Sequence, residues 1–161
     1  MPIMDVVFLA GLYTFRIFLG GQATGIPISK WTMLFSVFTF TSLAFLKRFA
    51  ELKLGIEQSS PESRRGYASE DLSMVGTFGI VSGYLGALVF VLYLNSPEVL
   101  IQYSRPDWLW LACPLLIYWT SHVWLIAQRG KIDSDPVVFA SRDKTSYAVF
   151  GLIIAILCLA H

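Results

Sequence analysis

Residues 31–52, WTMLFSVFTFTSLAFLKRFAEL, decide the fold. From Trp31 to Leu46 no side chain is charged; Lys47, Arg48 and Glu51 then arrive within about one helical turn. A helix that crosses the hydrocarbon core of a bilayer needs about 20 mostly apolar residues. The stretch therefore reads as a spanning helix with charges at its mouth. Lys47 and Glu51 are four apart and share a helix face, with Arg48 about 100° round from Lys47. Two meanings are open at this point. The charges form a helix end, anchored by basic residues and an intrahelical Lys47–Glu51 pair, or they line a site.

Working outward, the rest of the chain repeats the pattern. It has 161 residues, 55% hydrophobic and 14% charged, with a mean hydropathy of +0.62. A chain this short cannot bury so much apolar surface in one soluble core, so lipid is its natural solvent. Four further apolar runs, roughly 3–20, 74–95, 107–127 and 145–160, qualify as spans or come close. Between them lies turn chemistry: Gly20-Gly21, Ser59-Ser60-Pro61, Ser96-Pro97, Arg105-Pro106, and Gly130 with Pro136. No period-2 alternation suggests a barrel. The expectation is an all-α polytopic membrane protein of about five transmembrane helices, with residues 1–161 forming a single transmembrane domain. In GTFGIVSGYLG, residues 76–86, the glycines fall on one narrow stripe that lets another helix approach closely. A net charge of +1 gives no field that points to nucleic acid. Cys113 and Cys158 sit in apolar runs without metal-ligand or disulfide spacing. The beginning of the chain has neither the basic region nor the cleavage site of a signal peptide. An odd number of spans suits either a complete small protein or one half of something larger.

Basic residues set the expected orientation. Lys47, Arg48, Lys53, Arg64 and Arg65 flank one connection, and Arg129, Lys131, Arg142 and Lys144 another on the same side; only Lys30 and Arg105 lie opposite. The prediction is a multi-pass protein of the inner (cytoplasmic) membrane, with the N-terminus cytoplasmic and the C-terminus outside.

The polar groups carry the functional question. Arg16, inside the first span, either snorkels to the interface or serves an interior role. In SRRGYASEDL (residues 63–72), Ser69 has the look of an N-cap with Glu70 and Asp71 in the first turn. Those two acids could equally hold a divalent cation, and Arg64 and Arg65 could hold phosphate. In GKIDSDPVVFASRDKTSY (residues 130–147), Asp133, Asp135, Arg142 and Asp143 bracket an apolar core, and Ser141 or Asp143 could cap the last span. His122 reads as a hydrogen-bonded interior histidine. No nucleophile elbow, phosphate-binding glycine loop or zinc motif is present.

Four stretches, DVVFLAGLYTFRIFLGG, LAFLKRFAEL, RGYASEDL and DSDPVVFASRD, in that order and spacing, resemble the second half of UbiA-family membrane prenyltransferases. The branch they look like includes decaprenyl-phosphate phosphoribosyltransferases and UbiA proteins fused to a phosphatase-like domain. The resemblance implies a nine-helix fold of which this chain would supply helices five to nine. It implies a cavity open to the cytoplasm and to lipid, Mg²⁺ held by carboxylates at the mouth, and a polyprenyl (di)phosphate lipid as substrate. Two departures stand out. The first acidic motif of the family, N-D-x-x-D-x-x-x-D, occurs nowhere in this sequence. The usual D-x-x-x-D is replaced by Lys47-Arg48-Phe49-Ala50-Glu51. The resemblance thus places Lys47, Arg48, Arg64 and Arg65 on phosphate, and Glu51 at the catalytic and metal position with Glu70 and Asp71 as further metal candidates. Arg16, Asp133, Asp135 and Arg142 are other pocket candidates. The chain would then be an incomplete half, inactive alone, whose partner is a separate or missing N-terminal half. The rival expectation is a non-catalytic helical membrane protein that docks a partner or anionic lipid through its cytoplasmic loops.

Overall fold

The computed structural model describes residues 3–57, 67–130, 132 and 143–161. The described residues are helical, with no strand among them. Helix α1 runs Met4–Thr24, α2 Lys30–Glu57, α3 Leu72–Leu94, α4 Pro97–Gln102, α5 Ala112–Gln128 and α6 Lys144–Ala160. Single 3-10 turns, Ser69–Asp71 and Pro106–Leu111, lead into α3 and α5. Four segments, Met4–Thr24, Lys30–Ile56, Ser69–Leu94 and Pro106–Gln128, are long and apolar enough to cross a membrane; Lys144–Ala160 is a shorter apolar helix. The five expected spans are therefore all present as helices.

The boundaries differ from the sequence reading in three instructive places. Helix α1 does not stop at Gly20-Gly21. It continues to Thr24 and ends where Gly25 adopts a left-handed φ of 69°, its N–H bonded to the Gly21 carbonyl. Gly21 is needed for another reason, because the returning chain brings Ile28 against it and leaves no room for a Cβ. Helix α2 runs past Ala50 to Glu57, since Leu52 is fully buried and Arg48 and Glu51 are held by partners described below. The Ser96-Pro97 break opens a short helix, with Pro97 in its first turn where the missing N–H costs nothing and Val99 fully buried.

Packing centres on α2 and α3, with α1 laid against α2, α5 against α3, and α6 against α5. The glycine stripe is the reason α2, α3 and α5 meet so closely. A Cβ on Gly79 would overlap the Trp124 ring and Phe45, one on Gly83 would meet Thr120 and Ser42, and Gly86 faces Thr39. At the crossing, Trp124 Nε1–H donates to Ser42 Oγ (3.1 Å), which donates to the Gly79 carbonyl (2.7 Å). Outward faces are apolar and exposed: Val7, Phe8, Leu12 and Phe15 on α1, Met74, Val81 and Leu88 on α3. Such faces belong against lipid or another helix rather than water.

Candidate functional site

The bundle has one strongly polar end. The start of α1, the end of α2, the approach to α3, the end of α5 and the start of α6 gather there.

At its centre is Arg48, 5% exposed. Its Nη2 pairs with the Asp5 carboxylate and its Nη1 with that of Glu51. The guanidinium carbon lies 5.9 Å from the centre of the Tyr67 ring, a cation–π arrangement. The Tyr67 hydroxyl donates to Asp5 Oδ1 (3.1 Å) and accepts from the Ile3 N–H (2.6 Å). Asp5 Oδ1 also accepts from the Val6 N–H (2.9 Å), in the first turn of α1 where the helix dipole favours a carboxylate. Burial pushes the Tyr67 phenol above its ordinary pKa; the Ile3 N–H opposes this and the Asp5 carboxylate adds to it. Tyr67 is thus a neutral donor at physiological pH. One group is left over: Arg48 Nε is buried without a hydrogen-bond partner.

Half-buried Lys47 is next to this cluster and has an interaction of its own. Glu51 turns to Arg48, three residues back; Asp5, delivered by α1, shares the same cation, and a buried arginine needs that neutralisation more than a half-exposed lysine does. Lys53 donates to the Gln128 carbonyl, so α2 closes the end of α5.

A second polar junction caps α6. Asp143 Oδ2 accepts from the Ser146 N–H (2.8 Å) and hydroxyl (2.9 Å) and lies 3.2 Å from His122 Nε2. Trp119 Nε1–H donates to Ser146 Oγ (3.0 Å). Burial works against the Asp143 charge, but the Ser146 and His122 contacts outweigh it and hold the carboxyl below its usual pKa. His122 is the hydrogen-bonded histidine expected of it, and Asp143 is the cap.

The other candidates are dispersed. Ser69 is not a cap. Asp71 instead accepts the Ala68 N–H (2.8 Å), and Glu70 is exposed beside it. Arg16 is exposed on α1 over the Tyr13 ring (5.8 Å), eleven residues beyond Asp5 and so about 16 Å along the helix from the cluster. With α1 continuing to Thr24, Arg16 is near mid-helix and not close to its end. Arg64, Arg65, Asp133, Asp135 and Arg142 lie outside the described residues. Among the described residues no three His, Cys, Asp or Glu side chains gather as a metal-sized cluster. Two members of the Arg48 cluster, Asp5 and Tyr67, were not singled out in the sequence. Asp5 carried little signal, because an acid in the first turn of a helix is already explained by the helix dipole. Tyr67 carried none beyond its place in RGYASEDL.

The chain is 32% identical over 162 residues to Uncharacterized protein y4nM of Sinorhizobium fredii, covering 99% of this chain and 31% of that protein. It is 31% identical over 162 residues to Nodulation protein NoeC of Azorhizobium caulinodans, covering 99% of this chain and 52% of that one. Decaprenyl-phosphate phosphoribosyltransferase of Mycolicibacterium smegmatis is more distant, 23% identical over 152 residues, which is 92% of this chain and 48% of the enzyme. The chain thus spans a third to a half of these curated relatives. No family model and no solved structure matches it.

Proposed function

We propose that this chain is one portion of a UbiA-like intramembrane transferase acting on polyprenyl (di)phosphate lipids, and that the Arg48 end of the bundle is its phosphate-binding mouth. Similarity to decaprenyl-phosphate phosphoribosyltransferase along 92% of the chain carries the reading. The polar geometry supports it. A cation buried between two carboxylates, beside a second cation, marks where an otherwise apolar bundle concentrates charge.

In this reading the polar end faces the cytoplasm and the chain belongs to the inner membrane. Residues 1–161 are one partial domain, and the first acidic motif is supplied by a further portion of the protein. Lys47 contacts phosphate oxygens together with Arg64 and Arg65. Arg48 adds its charge and holds Asp5 and Glu51 in place. The carboxylates suit Mg²⁺, a hard cation that takes one or two carboxylates plus substrate phosphate and needs no closed protein cage. Glu51 would hold it together with substrate phosphate, since Glu51, Glu70 and Asp71 do not gather as one metal-sized cluster among the described residues, and it would neutralise charge developing on a diphosphate leaving group. Apolar helices exclude water from the reacting centre and strengthen these contacts.

The test is direct. The 161-residue chain, in liposomes, should show no Mg²⁺-dependent transfer to or from polyprenyl phosphate, and the longer protein that contains it should. Lys47→Met in the longer protein should abolish most turnover while leaving membrane insertion intact. Robust turnover by the short chain would sink the claim that the remainder is required; full activity of Lys47→Met would sink the mouth assignment. The non-catalytic alternative, docking of a partner or anionic lipid at the same end, predicts instead that Lys47→Met loses association and that the longer protein has no transferase activity.

A further inference from the structure

The Arg48 cluster holds one carboxylate more than its cation needs. Arg48 carries a single positive charge and pairs with both Asp5 and Glu51, while the Tyr67 phenol beside them is neutral. The two carboxylates are held differently. Asp5 has both oxygens occupied: Oδ2 pairs with Arg48 Nη2, and Oδ1 accepts from the Val6 N–H (2.9 Å) and the Tyr67 hydroxyl (3.1 Å). Its short side chain is rooted in the first turn of α1. Glu51 meets Arg48 Nη1 through Oε2, on a longer side chain three residues along the same helix. Arg48 Nε is buried without a hydrogen-bond partner. In the rigid guanidinium fork Nε shares an edge with Nη2. The vacant donor therefore lies on the Asp5 side of Arg48 and not on the Glu51 side.

We propose that Asp5 is a positioning residue for the transfer: it retains Arg48 when Glu51 turns away to the cation carried by the substrate diphosphate. The inference rests on the reading of this end as the phosphate-binding mouth. Arg48 is 5% exposed, and a charge so buried is strongly destabilising once its partners are gone. Glu51 can therefore turn only if another carboxylate stays. Asp5 stays, because three donors fix it. A small shift lets its Oδ2 serve Nε together with Nη2, in place of the contact that Glu51 gives up. Tyr67 keeps Asp5 and Arg48 in register, with its hydroxyl on the carboxylate and its ring over the guanidinium. Without the Asp5 charge, Arg48 would hold Glu51, and the mouth would lose its carboxylate for the cation.

The probe is the complex of Mn²⁺, standing in for Mg²⁺, with inorganic diphosphate. It is titrated onto the longer protein in nanodiscs and followed by water-proton relaxation, which needs no turnover. Asp5→Asn should weaken its binding about tenfold, the order of effect of one neighbouring charge, without changing the number of sites. Asp5→Glu, which restores the charge, should recover most of the affinity. Fewer sites of unchanged affinity in Asp5→Asn would mean a merely structural residue and overturn the proposal. Tyr67→Phe keeps the ring on Arg48 but removes the hydroxyl that fixes Asp5, and should weaken binding about threefold, the order of one hydrogen bond. If Asp5→Asn does not fold, unchanged affinity in Tyr67→Phe overturns the proposal in its place. A wild type active in Mg²⁺-dependent transfer, with Asp5→Asn binding the complex equally well, sinks the role of Asp5 alone. A wild type that neither binds the complex nor transfers sinks the mouth assignment with it.

Discussion

Helix α2 is held by two buried polar junctions built on opposite principles. At Arg48 the partners are two carboxylates, Asp5 from α1 and Glu51 from α2 itself, and the face of the neutral Tyr67 ring. At Ser42, two turns earlier, they are neutral, with Trp124, Ser42 and the Gly79 carbonyl passing one hydrogen bond to the next. The charged junction tolerates some spread in distance and angle, because Coulomb attraction falls off only as the inverse of the separation. The neutral junction asks for close approach, and glycine supplies it. An apolar helix can thus be fixed by charge where water is near and by shape where it is not.

Removing Arg48 should expose the difference most strongly. Arg48→Met leaves Asp5 and Glu51 without their cation, and because their side chains are 31% and 22% exposed the cost falls at the low end of the about 3–5 kcal/mol of an uncompensated buried charge. Chemical denaturation in detergent micelles should show this. In a double-mutant cycle, Asp5→Asn together with Arg48→Met should cost clearly less than the sum of the two. Additive effects would mean that the two residues do not share one interaction.

Gly79→Val comes next. It drives a branched side chain into Trp124 and Phe45, and overpacking of this kind costs about 2–3 kcal/mol. Val at Gly11, where nothing stands within 4 Å of an added Cβ, should leave the melting temperature nearly unchanged. Ser42→Ala should be milder, about 1–2 kcal/mol by chemical denaturation, chiefly through the indole N–H of Trp124 left without an acceptor.

The smallest effect belongs to the cap of α6. Asp143→Ala should cost about 1 kcal/mol. Because the folded carboxyl titrates below its unfolded value, its contribution is complete above about pH 4, the ordinary range of an aspartate, and fades as pH falls through the lower folded pKa. Melting curves of the wild type and the alanine variant should be separated at about pH 5 and converge as pH falls well below about 4, and a separation that persists in strong acid would contradict the assigned role of the Asp143 carboxylate.

The spans were legible because their signal is local. An uncharged run such as 31–46 is apolar whichever way it faces, and length alone then states that it can cross a bilayer. The glycine stripe was legible for the same reason, since its period fixes one face of one helix. The helix ends were less so. Gly20-Gly21 reads as a stop, yet the stop is Gly25, because Gly21 serves a contact with Ile28 that no local rule reveals. The candidate site was legible in part. Lys47, Arg48 and Glu51 stood out as charges after an apolar run, but the expected Lys47–Glu51 face did not disclose that Glu51 would join Asp5 around Arg48.

By itself the sequence determined the class of solvent, the number of apolar helices and the collection of charge toward one end. Those follow from composition and period along a single strand of chain. The tertiary structure alone decided which carboxylates neutralise Arg48, that Tyr67 covers it, and that four helices leave a cleft at the far end. Each depends on how α1, α2 and α3 rotate and cross, and side-chain volumes spread over the whole bundle set that rotation. Asp5 and Arg48 are 43 residues apart in sequence, and only packing makes them neighbours.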